Sequence, residues 1–467
     1  MPDRDGTRRG QYGKRVTQQN PYCDLSKTLS HVNLLPDTTN RRVNLFSDPT
    51  KRRWIAWGAL ATVFLLVNLY RLSTGVLSER LTEDFGTTAA QLGTLHAAFF
   101  FIYAIVQIPT GALADRVGPR HVGTAGALVL SIGAVGFALS ESYLAAFLSR
   151  AIIGLGSGVI FISILRFCAN WYRTDEFATM TGLTGSVAGL GAIVATTPLA
   201  VTVGAIGWRS TMIGLAAIGF LAGGSVYVFA RSSPADAGLE PIDGVPEQPS
   251  VTLAETTDYL RTLATDVEQW LLSMVFFAGN GAMLTLLGLW GVPYLVVVYG
   301  LDVTTASYYT LLGSVGMLVG PPAIGWISDR LNRRLLPMTV GLGLYALALA
   351  VVPIFGQPPL PVVAASYLCC GILVGASMLS LTTVKDRYPA DASGVATATV
   401  NTAGFVGATI LPAIMGVVLD AYQTGDTVGG TVVYTEFGYR IAFGILAGAV
   451  AIAFCCSLWL FVRDRTV

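Results

Sequence analysis

Twelve apolar stretches, each about as long as a bilayer is thick, dominate this chain of 467 residues. They cover 54–78, 90–113, 121–140, 143–168, 178–203 and 210–230, then 270–297, 305–327, 335–355, 360–383, 394–419 and 440–462. A helix needs about 20 consecutive apolar residues to span the hydrocarbon core. The expected fold class is therefore an all-α polytopic membrane protein with twelve transmembrane helices and the lipid bilayer as its solvent. Composition agrees: 53% of the residues are hydrophobic and 12% charged, too apolar for an ordinary soluble globule. A net charge of +1 gives no case for a nucleic-acid partner.

The longest internal break, 231–268, separates six spans from six. It contains SSPADAGLEPIDGVPEQPS and then a more helical LAETTDYLRTLATDVEQ. The expected organisation is a tail at 1–52, a six-helix bundle at 53–230, a linker at 231–268 and a second bundle at 269–467. The tail is polar, basic and without the apolar core of a signal peptide, and reads as disordered. With that tail inside, the cytoplasmic connections carry Arg116, Arg120, Arg173, Arg231, Arg261, Arg330, Arg333, Arg334, Lys385, Arg387, Arg463 and Arg465. The opposite side carries Arg80, Arg209 and Arg440. Twelve basic residues against three places both termini in the cytoplasm, with the plasma membrane as the expected location.

Embedded charge is the next constraint. Arg71 lies in the first span, Arg150 and Arg166 in the fourth, and Lys385 at the rim of the tenth, while no span contains an Asp or Glu. An Arg at a helix centre costs roughly 2.5–3.5 kcal/mol on insertion scales. Cations kept at that cost, with no balancing carboxylate, point to an anion that arrives from outside. The six cysteines (Cys23, Cys168, Cys369, Cys370, Cys455 and Cys456) form no CxxC or metal-type spacing, so they read as packed thiols. No nucleophile–base pair or phosphate loop is visible, so neither an enzyme nor a cofactor or metal is expected.

The halves repeat. Gly111-Ala-Leu-Ala-Asp115-Arg116-Val-Gly118-Pro-Arg120 follows the second span, and Gly325-Trp-Ile-Ser-Asp329-Arg330-Leu-Asn-Arg333-Arg334 follows the eighth, 214 residues later. Pro198 and Pro412 share an offset from this motif, and Gly207-Trp208-Arg209 matches Gly438-Tyr439-Arg440. Two parallel six-helix repeats are the plan the major facilitator superfamily uses, and GALADRVGPR resembles the signature loop of that superfamily. The resemblance implies a gating role. Gly111 allows close helix approach, and Asp115, with Arg116 and Arg120 beside it, reaches a facing helix N-terminus or a nearby Arg. Gly325, Asp329 and Arg330 form the second copy.

Arg150-Ala-Ile-Ile-Gly154-Leu-Gly156-Ser-Gly158 is similar to the fourth-helix motif of the same superfamily. Its glycines read as helix packing. Arg150 either binds backbone oxygens or biases proton transfer. The glycine-rich run of the fifth span, from Gly185, ends in Thr197-Pro198 where drug exporters of the superfamily carry Gly-Pro, and the second span has His96 but none of the Arg of nitrate porters. Leu69-Tyr70-Arg71-Leu-Ser73-Thr74-Gly75 resembles the first helix of organophosphate:phosphate antiporters and anion:cation symporters. That likeness implies that Arg71 is the anion ligand, the competing reading being a side chain that snorkels to the interface.

The remaining candidates for substrate contact are Arg166, placed as in a lysosomal dipeptide transporter family, and Lys385, Trp290, Tyr294, Asn401 and His96. Pro293 should kink the seventh span, and Trp290 and Tyr294, four residues apart, should share a face. His96 is the embedded group whose ordinary titration range lies nearest neutrality. The expected function is alternating-access transport of a small organic anion, a carboxylate or phosphate ester. A coupling proton and a counter-anion both remain open. A dipeptide or zwitterion carrier and a drug or metabolite exporter are the alternatives.

Overall fold

A computed structural model describes residues 49–239, 242, 261–428 and 431–466. The expected tail therefore falls outside the described residues up to 48, as does most of the linker between 240 and 260. Among the described residues twelve helices are long and apolar enough to cross a membrane.

In chain order these are α1 (Pro49–Leu72, continuing as Thr74–Phe85), α2 (Ala89–Val117), α3 (Pro119–Ala138), α4 (Tyr143–Gly158 and Ile160–Trp171), α5 (Thr174–Val194 and Thr197–Ile206) and α6 (Trp208–Phe229). The second half holds α7 (Val267–Thr285, Leu286–Trp290 and Gly291–Tyr299), α8 (Val303–Leu331), α9 (Leu335–Leu349 and Val351–Phe355), α10 (Leu360–Arg387), α11 (Ala390–Ala421) and α12 (Glu436–Thr466). The elements thus outrun the apolar runs at many ends. The hydrocarbon core selects only the apolar middle of a helix, whereas local caps decide where it stops.

Those caps follow from the sequence. Thr88 accepts from the Gln91 amide and the Gln91 side chain returns the bond at the start of α2, a reciprocal capping box. Asp302 caps α8 by accepting from the Thr305 amide at 3.0 Å. The Thr305 hydroxyl and amide hold the Asp302 carboxyl below its ordinary range. One element departs from the all-α expectation. Gln423–Val428 (β1) and Thr431–Tyr434 (β2) pair antiparallel between α11 and α12. This loop is polar and rich in Thr and Val, a β-favouring mixture. We call its end of the molecule the hairpin side, and the other the basic side.

The kink expected in α7 takes the form of a π-turn over Leu286–Trp290. Pro293 cannot donate to the carbonyls one turn behind it. The carbonyls of Gly288 and Leu289 face Gly75 of α1, where an added Cβ would lie 3.3 and 3.1 Å from them. Helix packing within the second half also rests on glycine. A Cβ at Gly371 of α10 would lie 2.0 Å from the Gly313 carbonyl of α8, and one at Gly320 2.2 Å from the Ile372 carbonyl. Backbones this close are the membrane substitute for a hydrophobic driving force, which lipid does not supply.

Candidate functional site

The two halves meet at a seam made by α1, α2 and α5 of the first and α7, α8 and α11 of the second. Arg71 sits on that seam, 9% exposed. Its guanidinium lies 4.9 Å from the Tyr103 ring of α2 and 5.2 Å from the Phe405 ring of α11, and the two rings are 4.5 Å apart. Nη1 donates to Asn68 Oδ1 at 3.1 Å. Asn68 is turned the right way because its amide nitrogen donates to the Phe64 carbonyl at 2.8 Å. Arg71 Nε is buried with no partner, and among the described residues no carboxylate pairs with this cation. The aromatic faces offer a weak cation–π attraction, about 0.5–2 kcal/mol. That is small against the several kcal/mol of desolvation a buried ion meets.

Arg150 shares the unpartnered Nε but differs in its other bonds. This side chain is 1% exposed and reaches across to the break in α1. Nη1 donates to the Tyr70 carbonyl at 2.9 Å and Nη2 to Thr74 Oγ1 at 2.6 Å. Thr74 lies one residue past Ser73, where α1 is interrupted, so Arg150 fastens a helix break. The same Thr74 oxygen lies 3.0 Å from Nδ1 of His96. The His96 ring then abuts α7: a Cβ at Gly288 would lie 2.8 Å from Cε1. Arg150, Thr74 and His96 therefore form one chain of contacts across α4, α1 and α2 to the seam.

The other sequence candidates are dispersed. Trp290 donates its ring N–H to the Pro412 carbonyl at 3.1 Å, and Tyr294 donates to the Gly356 carbonyl at 2.7 Å. Both are bound to backbone within the second half, on different neighbours. Arg166 is half-buried on α4, Asn401 half-buried on α11 and Lys385 exposed at the end of α10. Lys385 does not take Asp386, which pairs instead with Arg334 at 3.3 Å. Asn68, Tyr103 and Phe405 escaped the sequence reading. Asn68 stands three residues before Arg71 on one helix face, a spacing that could have exposed it. Tyr103 and Phe405 carried no comparable signal, since their pairing is tertiary.

On the basic side, Gly111 and Asp115 belong to α2, but the surroundings of Gly111 and the side chain of Asp115 lie outside the described residues. Arg116 and Arg330 are exposed, Arg330 over the Trp326 ring at 5.0 Å. Arg120 Nε donates to the Tyr227 carbonyl at 3.0 Å. Asp329 pairs with Arg334, and Gly325 has open space where a Cβ would stand. Ion pairs here, Arg53–Glu176, Arg334–Asp329 and Arg387–Glu268 among them, stay within one half.

The hairpin side is different, because contacts there cross the seam. Asp420 at the end of α11 accepts from the amides of Ala89 and Ala90 at 2.8 and 3.0 Å. With Thr88 taking the Gln91 amide at 3.3 Å, three of the orphan donors that open α2 are satisfied. Ser307 of α8 donates to Thr197 of α5 at 3.1 Å. A Cβ at Gly416 of α11 would lie 2.3 Å from the Ala89 carbonyl. The seam is thus shut on the hairpin side.

A family model described as Major Facilitator Superfamily matches residues 58–412. The chain belongs to this superfamily. The superfamily consists of membrane transporters, and alternating access is their general property. Among curated relatives, a probable sulfoacetate transporter of Cupriavidus necator is 28% identical over 61% of this chain and 66% of its own length. The hexuronate transporter of Bacillus subtilis is 23% identical over 57% of this chain and 62% of its own. A probable nitrate/nitrite transporter of Mycobacterium tuberculosis is 28% identical over 79% of this chain and 90% of its own. The chain therefore spans about two thirds of the first two relatives. The fold matches a bacterial homologue of the human lysosomal transporter Spinster in an inward-facing, unoccupied conformation. That match has a TM-score of 0.72 and 18% identity, and covers 88% of this chain and 98% of that one.

Proposed function

We propose that this transporter carries a small organic anion and that Arg71 binds it. The observation that carries this reading is a guanidinium on the seam between the halves with one hydrogen bond, to Asn68, and, among the described residues, no carboxylate beside it. An arriving carboxylate, sulfonate or phosphate would supply the missing charge, and the planar fork of Arg suits two-point contact with such groups. The names of the relatives support the charge class, since sulfoacetate, hexuronate and nitrate are all anions. Phe405 sits on the second half and Arg71 on the first, so an anion placed between them senses the rocking of the bundles 53–230 and 269–467. The basic side is the cytoplasmic one in this proposal, with both termini there and the plasma membrane as the location. Exchange against a counter-anion is the coupling this site supports most directly, because the returning anion again neutralises Arg71. His96, tied to Arg150 through Thr74, is the alternative carrier of a proton.

The test is uptake into proteoliposomes, with substrate-dependent thermal stabilisation, over a panel of sulfonates, sugar acids, dicarboxylates and phosphate esters. Arg71→Lys should lower apparent affinity at least about tenfold, since losing one charge-assisted bond costs roughly 1.5–3 kcal/mol. Arg71→Ala should nearly abolish uptake while leaving the folded yield intact. Preference for a neutral or cationic substrate, with Arg71→Ala fully active, overturns the proposal in favour of an exporter.

A further inference from the structure

A cavity of about 260 Å³ lies on the hairpin side, apart from Arg71, and is lined from both halves. Glu79, Thr82 and Leu92 come from the first half, and Trp290, Tyr439 and Tyr434 of β2 from the second. It is slightly smaller than the roughly 300–1,000 Å³ usual for drug-sized ligands, so any occupant is small.

Its electrostatics are opposite to those of the anion site. Glu79 is half-buried, and the arginines near it are engaged elsewhere. Arg80 pairs with Glu83 at 2.8 Å and Arg209 with Asp84. Among the described residues Glu79 has no ion-pair partner. Tyr439 is 1% exposed, and its hydroxyl has no hydrogen-bond partner. Trp290 spends its one N–H on the Pro412 carbonyl, so it presents only ring surface. The cavity therefore offers one carboxylate, one unpaired phenolic oxygen, aromatic surface and apolar walls. An anion would meet Glu79 unfavourably, and a neutral apolar solute would bury the carboxylate further without a partner. A small cation with an apolar body satisfies every group present.

We propose that this cavity binds a small aralkyl ammonium ion. Its N–H groups would lie on the Glu79 carboxylate and the Tyr439 hydroxyl, and its hydrocarbon body against the apolar walls. The site needs both halves together, because Glu79 and Tyr439 belong to opposite sides of the seam. Its occupant is a ligand of the hairpin-side-closed state and not the anionic cargo.

The experiment is a thermal-shift and calorimetric titration of the full-length protein with phenethylammonium, with neutral 2-phenylethanol as the isosteric control. Phenethylammonium should bind and stabilise the wild type, and the alcohol should bind at least about tenfold more weakly, as expected for loss of a charge-assisted hydrogen bond. Glu79→Gln should remove that discrimination and Tyr439→Phe should reduce it. Neither substitution touches Arg71, so substrate-dependent stabilisation by anions should persist in both. Equal affinity for amine and alcohol, no binding of phenethylammonium, or unchanged discrimination in Glu79→Gln each overturn the proposal. If Tyr439→Phe fails to fold, the Glu79→Gln comparison decides.

Discussion

Asp420 should act as a latch between the halves, and the strength of that latch follows from its contacts. The carboxylate accepts from the first two amides of α2 across 331 and 330 residues of sequence. Capping side chains contribute about 0.5–2 kcal/mol when compared with Ala, and a negative charge at a helix N-terminus adds about 0.3–1 kcal/mol. Separation of the halves on the hairpin side must break both bonds and return the amides to water. Together they favour the closed hairpin side by about 1–3 kcal/mol, which is a factor of about 5–150 in population. Spin labels at Val201 of α5 and Tyr308 of α8, both exposed, would report the distance across that side. Asp420→Ala should transfer population to the longer distance by a factor in that range. Asp420→Asn keeps one acceptor oxygen but no charge, and should fall between. A wild-type distance distribution in Asp420→Ala refutes the latch.

Two further outcomes test other contacts. Thr74→Val removes the oxygen that serves both Arg150 and His96; leaving buried polar groups unsatisfied costs about 1–3 kcal/mol, so the melting temperature should drop, and an unchanged value would discount the chain of contacts. Gly371→Val places its Cβ against the Gly313 carbonyl of α8. Because backbone cannot yield as a side chain does, at least the roughly 1–3 kcal/mol of an overpacked core is expected, read as loss of monodisperse protein in detergent.

The fold was legible because its main determinant is coarse. Twelve apolar runs and a repeated loop motif survive errors of several residues at every helix end. The site was only half legible. Arg71 declared itself because a charge in an apolar run is visible without coordinates. Phe405 did not, because an aromatic residue in a membrane helix looks the same whether it faces lipid or a cation. Asp420 was missed for a boundary reason: the eleventh span was read as ending at 419, which put this bridging carboxylate just outside the region searched for embedded charge. Trp290 and Tyr294 carried a helical-spacing argument that cannot show which backbone carbonyls they reach. The hairpin was invisible because it is short and stands between two strongly apolar helices.

Arg71 and Arg150 share a residue type, a half and an apolar setting, and only their partners separate them. Arg150 places two N–H groups on Tyr70 and Thr74, oxygens that the first half supplies permanently. The chain has met much of the desolvation cost of that ion from within, as structural buried charges require. Arg71 has one neutral acceptor, Asn68, and two rings. One of the rings, Phe405, belongs to the opposite half. A cation held by two bonds from within its own bundle changes little when the halves rock, whereas one with a single bond at the seam has a free energy that depends on what enters and on which state the seam adopts. A ligand shifts a conformational equilibrium only through such differential contacts. Ranked by the hydrogen bonds they make, Arg150 has two from its own half and Arg71 one, and that difference supports the proposal that Arg71 meets the charge of the substrate.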